Sequence, residues 1–277
     1  MLRSRRRYEL RTLKRTPSRF TEYIQSMNQS IQKAAAILAA CRSAVALTGA
    51  GISVESGIPP FRGKGGLWEE IDPMQYAHIR AYQKNPEAVW RVLFTRLNDV
   101  LEKARPNEGH AGLFRLEELG ILKTVITQNI DGLHQQAGNS DVIEFHGTFA
   151  SQSCMACGKV VDSRQVSLNV LPPRCDCGGV LRPDVIMFGE FIPPYHLQRA
   201  QMLAATCDAM LVVGTSATVQ PAAYLPVIAK RGGAAIVEIN PEPTPLSNQI
   251  SDVTLPGKAG QTMRELVTAV ERLRPTL

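Results

Sequence analysis

The chain has 277 residues, 44% of them hydrophobic and 20% charged, with six cysteines. That is enough apolar material for a large core, one main domain plus an insertion, and it excludes a disordered chain or a small disulfide scaffold. The formal net charge of +6 sits in residues 1–20, where Arg3, Arg5, Arg6, Arg7, Arg11, Lys14, Arg15 and Arg19 outweigh the single acid Glu9; the other 257 residues sum to −1.

Three readings suit that basic arm. It is a solvated extension, a loose electrostatic contact for nucleic acid, acidic protein or lipid head groups, or an Arg-rich transit peptide. It has no apolar core of signal-peptide type. No segment reads as membrane-spanning, because the longest uncharged run, Ala209 to Ala229, is broken by Gly, Thr, Ser, Gln and Pro. A cytoplasmic protein with no membrane partner and no specific nucleic-acid partner is expected; the oligomeric state is left open.

From Thr21 to Arg42, Ile24, Met27, Ile31, Ala34, Ala35 and Leu38 recur at helical spacing. The first short apolar run, Ala44–Thr48, then enters Gly49-Ala50-Gly51-Ile-Ser53, where glycines permit a tight turn and close approach to a pyrophosphate. The dinucleotide fingerprint Gly-x-Gly-x-x-Gly fails at its third glycine, which is Val54, and no acid follows at a second strand end. A hydride-transferring dehydrogenase is therefore disfavoured. Pro59 to Pro106 has no strand pattern and reads as a loop, with Phe61 and Arg62 among glycines and prolines, followed by helices; Glu69 and Glu70 are placed in loop after Trp68.

Five further runs continue the pattern: Lys123–Thr127, Val142–Phe145, Val185–Phe188, Ala209–Val213 and Ala235–Ile239. Short, nearly unbroken β-branched runs suit a parallel sheet covered on both faces. Helical patterns lie between them at Glu108–Leu119, Tyr195–Thr206, Ala222–Lys230 and Gln261–Leu273. Alternation of this kind predicts an α/β fold, a doubly wound, mostly parallel Rossmann-like sheet with a smaller zinc-binding and helical lobe. Its division is 21–60, 107–146 and 183–277 for the nucleotide-binding part, 61–106 for a helical insertion and 147–182 for a zinc-binding insertion. Ligands bind such sheets beyond the strand carboxyl ends. Those ends carry Gly49–Gly51, Gln128-Asn129-Ile130-Asp131, His146, Gly189-Glu190, Gly214-Thr215-Ser216 and Asn240.

Cys154-Met-Ala-Cys157 is followed, 17 residues on, by Cys175-Asp-Cys177. Two close thiolate pairs suit one tetrahedral zinc ion with no open position, hence a structural one. Two disulfides are the alternative, disfavoured in a reducing compartment. Cys41 and Cys207 read as buried thiols.

Taken together, Gly49–Ser53, Ile58-Pro-Pro-Phe-Arg-Gly63, Thr127–His134, Phe145-His-Gly147, the four cysteines, Leu181–Glu190, Gly214–Ser216 and Ile239-Asn-Pro-Glu242 resemble the sirtuins of bacterial type. The likeness is ordered and runs from about Leu47 to Gly260. It implies NAD as co-substrate, one structural zinc and acylated-lysine proteins or peptides as substrates. The implied reaction releases nicotinamide and moves the acyl group to ADP-ribose, deacetylation being the first expectation.

The resemblance also assigns roles. His146 would be the base acting on a ribose hydroxyl, a task suited to an imidazole near neutral pH. Asn129 and Gln128 would meet ribose or an ordered water, and Ile130 and Asp131 the nicotinamide carboxamide. Asn129 or Asp131 capping the next helix is the competing reading. Phe61 would shield the reacting ribose, partial burial against Trp68 being the competing reading, and Arg62 would meet phosphate or support the loop, with Gly49, Ala50, Gly51, Ser53, Gly214, Thr215, Ser216, Asn240, Lys258 and Ala259 completing the cofactor site. Ile186, Met187, Phe188, Gly189 and Val219 would pair with the peptide as an added strand. His134, three residues after Asp131, would orient its loop; His110 lies near a helix start; His78 and His196 are peripheral.

Sirtuins that remove acidic acyl groups carry Tyr-x-x-Arg where this chain has Leu93-Phe-Thr-Arg96. The hydroxyl is missing, so succinyl-lysine is expected to be a poor substrate. Two alternatives remain at this stage: a mono-ADP-ribosyltransferase on the same NAD site, and a non-catalytic NAD or ADP-ribose sensor.

Overall fold

The computed structural model describes residues 19–63, 65–247 and 249–274; all but the last two residues of the basic arm lie outside them. Among the described residues, no helix is long and apolar enough to cross a membrane. The strands are β1 (Ala44–Thr48), β2 (Leu122–Thr127), β3 (Val142–Glu144), β4 (Gly147–Cys154), β5 (Val160–Asp162), β6 (Leu181–Val185), β7 (Ala209–Val213), β8 (Ala235–Asn240) and β9 (Val253–Pro256). The helices are α1 (Arg19–Ala40), α2 (Leu67–Glu70), α3 (Pro73–Tyr76), α4 (Ile79–Lys84), α5 (Pro86–Val89), α6 (Thr95–Leu101), α7 (Glu108–Glu118), α8 (Leu133–Ala137), α9 (Pro194–Thr206), α10 (Leu225–Arg231) and α11 (Ala259–Leu273).

Six strands form one sheet in the order β3-β2-β1-β7-β8-β9, and every neighbouring pair is parallel. Residues alternate between its two covered faces, as pleating requires. Ala44 and Ala46 face α1, α7 and α11, packing with Leu38, Leu116 and Leu266. Val45 and Leu47 face α9 and α10, packing with Ala200, Ala204 and Leu225. Both faces being dry explains why β1 and β7 are apolar at nearly every position and buried at all five. In α11 the buried residues Met263, Leu266, Val267 and Val270 fall at i, i+3, i+4 and i+7, one stripe of a helix.

The smaller lobe joins two stretches of chain. The three-stranded antiparallel sheet β5-β4-β6 packs against the helices of residues 67–101 around Trp90 and Phe94, which are 0% and 1% exposed. Trp90 meets Phe94 edge-on at 5.1 Å, and Phe94 meets Phe149 of β4 at 6.1 Å. Trp90 Nε1 and Tyr82 Oη both donate to the Leu181 carbonyl, at 3.1 and 3.0 Å, so the helices are bonded to β6 as well as packed on it.

Three expectations change. The run Val185–Phe188 is not a strand of the parallel sheet: the chain pairs there through β6, antiparallel to β4. Beyond Val185, Phe188 N–H donates to Ala77 and its carbonyl accepts from Ile79 N–H, which draws the segment toward the helical insertion. The sixth parallel strand is instead β9 at the sheet edge, where Val253 and Leu255 are buried, Thr254 is half-buried and Pro256 is exposed. Glu69 and Glu70 belong to the short helix α2 rather than to loop.

Candidate functional site

In strand order 3-2-1-7-8-9 the chain leaves β1 toward one edge and β7 toward the other, so the crevice opens between these two strand ends. Gly51 N–H donates to the Gly214 carbonyl at 2.8 Å, bringing the two turns into contact. A Cβ on Gly51 would lie 2.7 Å from the Gly214 backbone. Gly51→Ala is therefore expected to force the turns apart at a strain of about 1–3 kcal/mol. The check is weakened NAD binding by calorimetry in a protein that still melts cooperatively. After β1 the chain forms a 3-10 turn, Ala50–Ser56, instead of the α-helix of a dinucleotide fingerprint, which fits Val54 standing where the third glycine would be.

A cleft of about 1090 Å³ runs along the strand ends. Gly49, Ala50, Gly51, Gly214, Thr215, Ser216, Asn240, Lys258 and Ala259 line one end; Gln128, Asn129, Ile130 and His146 line the middle. Phe61 and Arg62 cover it from the loop after Pro60, and Ile186, Met187, Phe188, Gly189 and Val219 line the mouth with Leu93. Ser53, Asp131 and Arg96 are not among the lining residues. Arg96 reaches Glu70 at 2.5 Å on the surface.

His146 follows β3. Its Nδ1 lies 3.2 Å from the Gln128 carbonyl. A carbonyl only accepts, so Nδ1 carries the proton and Nε2 keeps a free lone pair. Burial holds its pKa below the ordinary imidazole value, so the ring is neutral at neutral pH. Asn129 is 5% exposed, and its Nδ2 donates to the Gly49 carbonyl at 3.2 Å and to Ser53 Oγ at 3.1 Å. With the amide nitrogen so engaged, Oδ1 is the Asn129 atom left to accept. Gln128 Nε2 donates to the Thr48 carbonyl and to Thr215 Oγ1, tying the middle of the cleft to its glycine end. Asn240 Nδ2 donates to the Thr215 carbonyl.

Buried Ser53 and half-buried Asp131 stand behind the cleft lining. Ser53 Oγ donates to Asp131 Oδ2 at 2.7 Å, and Asp131 Oδ1 accepts from Leu133 N–H at 3.0 Å at the start of α8. Asp131 Oδ1 thus closes a turn onto Leu133, while the N-cap position of α8 itself is Gly132. Burial raises its carboxyl pKa, against these hydrogen bonds.

Deeper still, the rings of His110 and His134 lie 4.9 Å apart, 0% and 1% exposed. Burial lowers His110 to about 4 and His134 to about 3. Unfolded histidines titrate near pH ~6.5. Between that pH and about 4 the unfolded chain binds protons that the fold refuses at these rings, so stability falls as pH falls through this window. The urea midpoint is expected to be lower at pH 5 than at pH 7, with a shallower change in His110→Gln.

The apolar wall was only partly nominated from sequence. Trp68, Phe94 and Leu97 also line the cleft. Phe61 stacks on Trp68 at 5.3 Å, and Trp68 lies 6.4 Å from Phe188. Leu97, one helical turn after Leu93, carried the readable signal. Glu55 was missed as well; its Oε2 accepts from Gly260 N–H at 2.7 Å, holding the start of α11 beside Lys258 and Ala259.

In the small lobe, Cys154, Cys157, Cys175 and Cys177 bring their sulfurs within 4.8 Å of one another. Two of the separations are 3.5 and 3.8 Å, too long for an S–S bond. They suit zinc, whose tetrahedral Zn–S bonds of about 2.3 Å place sulfurs about 3.8 Å apart. Gly158 and Gly178, at φ 73° and 86°, close the two turns, with Gly158 N–H on the Cys154 carbonyl and Gly178 N–H on the Cys175 carbonyl. The donor set fits one structural zinc ion.

The fold and cleft define an α/β protein of doubly wound type with an open cleft at the strand ends and a neutral imidazole on its lining. Comparison with known proteins narrows this further. Residues 49–221 match the model of the Sir2 family, and the chain belongs to that family. It is 48% identical over 229 residues to an NAD-dependent protein deacylase of the archaeon Archaeoglobus fulgidus, covering 82% of this chain and 93% of that one. It is similar to a solved Sir2 homologue–NAD complex, with 46% identity, TM-score 0.80 and coverage of 87% and 94%. It is also similar to a Sir2 protein bound to a myristoylated histone peptide, with 38% identity, TM-score 0.74 and coverage of 89% and 98%.

Proposed function

We infer that the chain is an NAD-dependent protein lysine deacylase that releases nicotinamide and transfers the acyl group to ADP-ribose, with acetyl-lysine as the leading substrate. The observation that carries this is the neutral His146, its Nδ1–H on the Gln128 carbonyl and its ring on the cleft. NAD supplies a ribose carbon that becomes electrophilic as nicotinamide departs. The chain's own part is to orient, to exclude water and to move a proton. Asn129 Oδ1 accepts from a ribose hydroxyl or an ordered water. Phe61, stacked on Trp68, shields the reacting face. Nε2 of His146 takes the ribose proton.

The helical insertion (61–106) and the segment from Val185 to Ile192 form the second wall of the cleft, with the zinc lobe (147–182) set off from it, and residues 21–60, 107–146 and 183–277 are the nucleotide-binding part. For the peptide, Phe188 has both backbone groups engaged by Ala77 and Ile79, and Ile186 N–H already donates to the His146 backbone carbonyl. Strand addition therefore takes place from Gly189 onward, opposite Val219. Four reduced thiolates as zinc ligands favour the cytoplasm. A specific nucleic-acid partner is not part of this reading.

The acyl group meets Leu93, Phe94, Leu97 and Met187, while Arg96 is held by Glu70. Apolar acyl chains therefore suit the pocket, in keeping with the myristoylated peptide on a relative. Acetyl-peptide is expected to exceed succinyl-peptide in kcat/KM by about tenfold, about 1.4 kcal/mol. A preference for succinyl overturns this.

Mass spectrometry of acetyl-peptide with NAD tests the main reading. Expected products are deacetylated peptide, nicotinamide and O-acetyl-ADP-ribose. ADP-ribose left on protein marks a transferase instead, and binding without nicotinamide release marks a sensor.

A further inference from the structure

His134 lies on α8, 1% exposed, and does not line the cleft. Its Nε2 is 2.9 Å from Thr48 Oγ1. Thr48 Oγ1 donates to Thr127 Oγ1 at 2.9 Å, and Thr127 Oγ1 also accepts the backbone N–H of Asn129 at 3.1 Å. A threonine hydroxyl has one proton. Since that of Thr48 goes to Thr127, Nε2 of His134 is the donor to Thr48. A directed chain of hydrogen bonds thus crosses the ends of β1 and β2, from α8 to the residue whose amide faces the cleft.

Packing alone does not account for a histidine here. Its Nδ1 lies beside Asn139 without a hydrogen bond of standard geometry, and burying an unpaired ring nitrogen is unfavourable. A leucine would fill similar space without that penalty. Burial keeps the ring neutral at neutral pH, and the Thr48–Thr127 bond selects the neutral form with its proton on Nε2.

We propose that His134 is a positioning residue that sets Asn129 through Thr48 and Thr127. This rests on the deacylase reading of the cleft. His134 touches neither co-substrate; it acts on the backbone of Asn129, and so on where Asn129 Oδ1 stands relative to the ribose.

The test uses the full chain with zinc bound and three variants, His134→Leu, Thr48→Val and the double, with His134→Gln as the conservative replacement. Two readouts are taken: hydrogen exchange of the Asn129 backbone amide, and kcat and KM on acetyl-peptide with NAD. Each single variant is expected to speed Asn129 exchange and to lower kcat by about tenfold, with peptide KM within about twofold. The double variant is expected to be no worse than the poorer single one, because both break one chain. His134→Gln, which keeps an N–H donor, is expected to recover part of kcat. Unchanged Asn129 exchange in both single variants, or losses that multiply in the double, overturns the proposal. Thr48→Val, nearly isosteric, keeps the test valid if His134→Leu fails to fold. If the wild-type chain deacylates nothing, the deacylase reading falls, while the exchange data still decide whether His134 holds Asn129.

Discussion

Replacing His146 with alanine is expected to lower acyl transfer about 10²–10⁴-fold, the usual worth of a positioned general base. NAD binding should survive, because the glycine turns, Asn240 and the Lys258–Ala259 segment line the far end of the cleft. The ring bonds its own chain through Nδ1 on the Gln128 carbonyl and rests against Phe145 at 5.7 Å, so its loss removes the free Nε2 together with one edge contact to the core, and a melting curve of the variant separates the two effects. The acid limb of the kcat/KM profile should lie below the ordinary imidazole pKa, since burial favours the neutral ring. Activity falls as pH falls through that lowered value, because protonation removes the lone pair. The limb should be absent in the alanine variant. Steady-state rates from pH 5 to 8 decide the matter; a loss under tenfold would leave His146 without its assigned task.

Stripping the metal with a chelator, or replacing Cys154 with serine, should have the next largest effect. Structural zinc in small sites contributes about 10–16 kcal/mol of apparent binding free energy at pH 7, and that free energy is folding free energy. The buried cluster there is small, with Cys154, Cys175 and Leu181 as its buried members. Without zinc, β4 and β6 lose the clip at their end. The Leu181 carbonyl, which accepts from Trp90 and Tyr82, then loses its fixed place. The six-stranded sheet has its own two cores and should persist. The expected result is about one zinc per chain, new protease sites within 150–182 after chelation, and lost peptide turnover with much of the helical signal retained. Chelated protein with unchanged melting temperature and rate would show that the thiolates hold no structural metal.

Local chemistry made much of this legible. Five of the six apolar runs became strands of the parallel sheet, because a strand dry on both faces must be apolar at nearly every position. β9 escaped notice because only Val253 and Leu255 of its four residues are buried, which leaves no unbroken apolar run, whereas the other edge strand, β3, is marked by Val142, Ile143 and Phe145 in close succession. The segment after Val185 misled for the opposite reason. It is apolar because it faces the cleft and the helical insertion, a cause of hydrophobicity that a strand pattern does not separate from sheet burial.

The cleft shows the same split. Gly49, Gly51, Asn129, His146 and the cysteines stand out because turns, ligation and proton transfer demand particular residue types. Trp68, Phe94 and Leu97 do not, since an aromatic or leucine in a helix reads equally as core. Arg96 illustrates the converse: a charged side chain at a suggestive spacing found Glu70 as its partner, a pairing 26 residues apart that no local rule foretells.

What the amino-acid sequence alone determined was the kind of sheet, the thiolate clip, the glycine turns and the imidazole, since each depends on short-range chemistry. Only the tertiary structure decided which groups stand on the cleft and which stand behind it. Ser53, His110 and His134, with half-buried Asp131, came to stand behind the cleft lining by contacts between residues 57 to 86 positions apart. Chain separations of that size are closed by packing of the whole core, which is a collective property and leaves no trace at any one position.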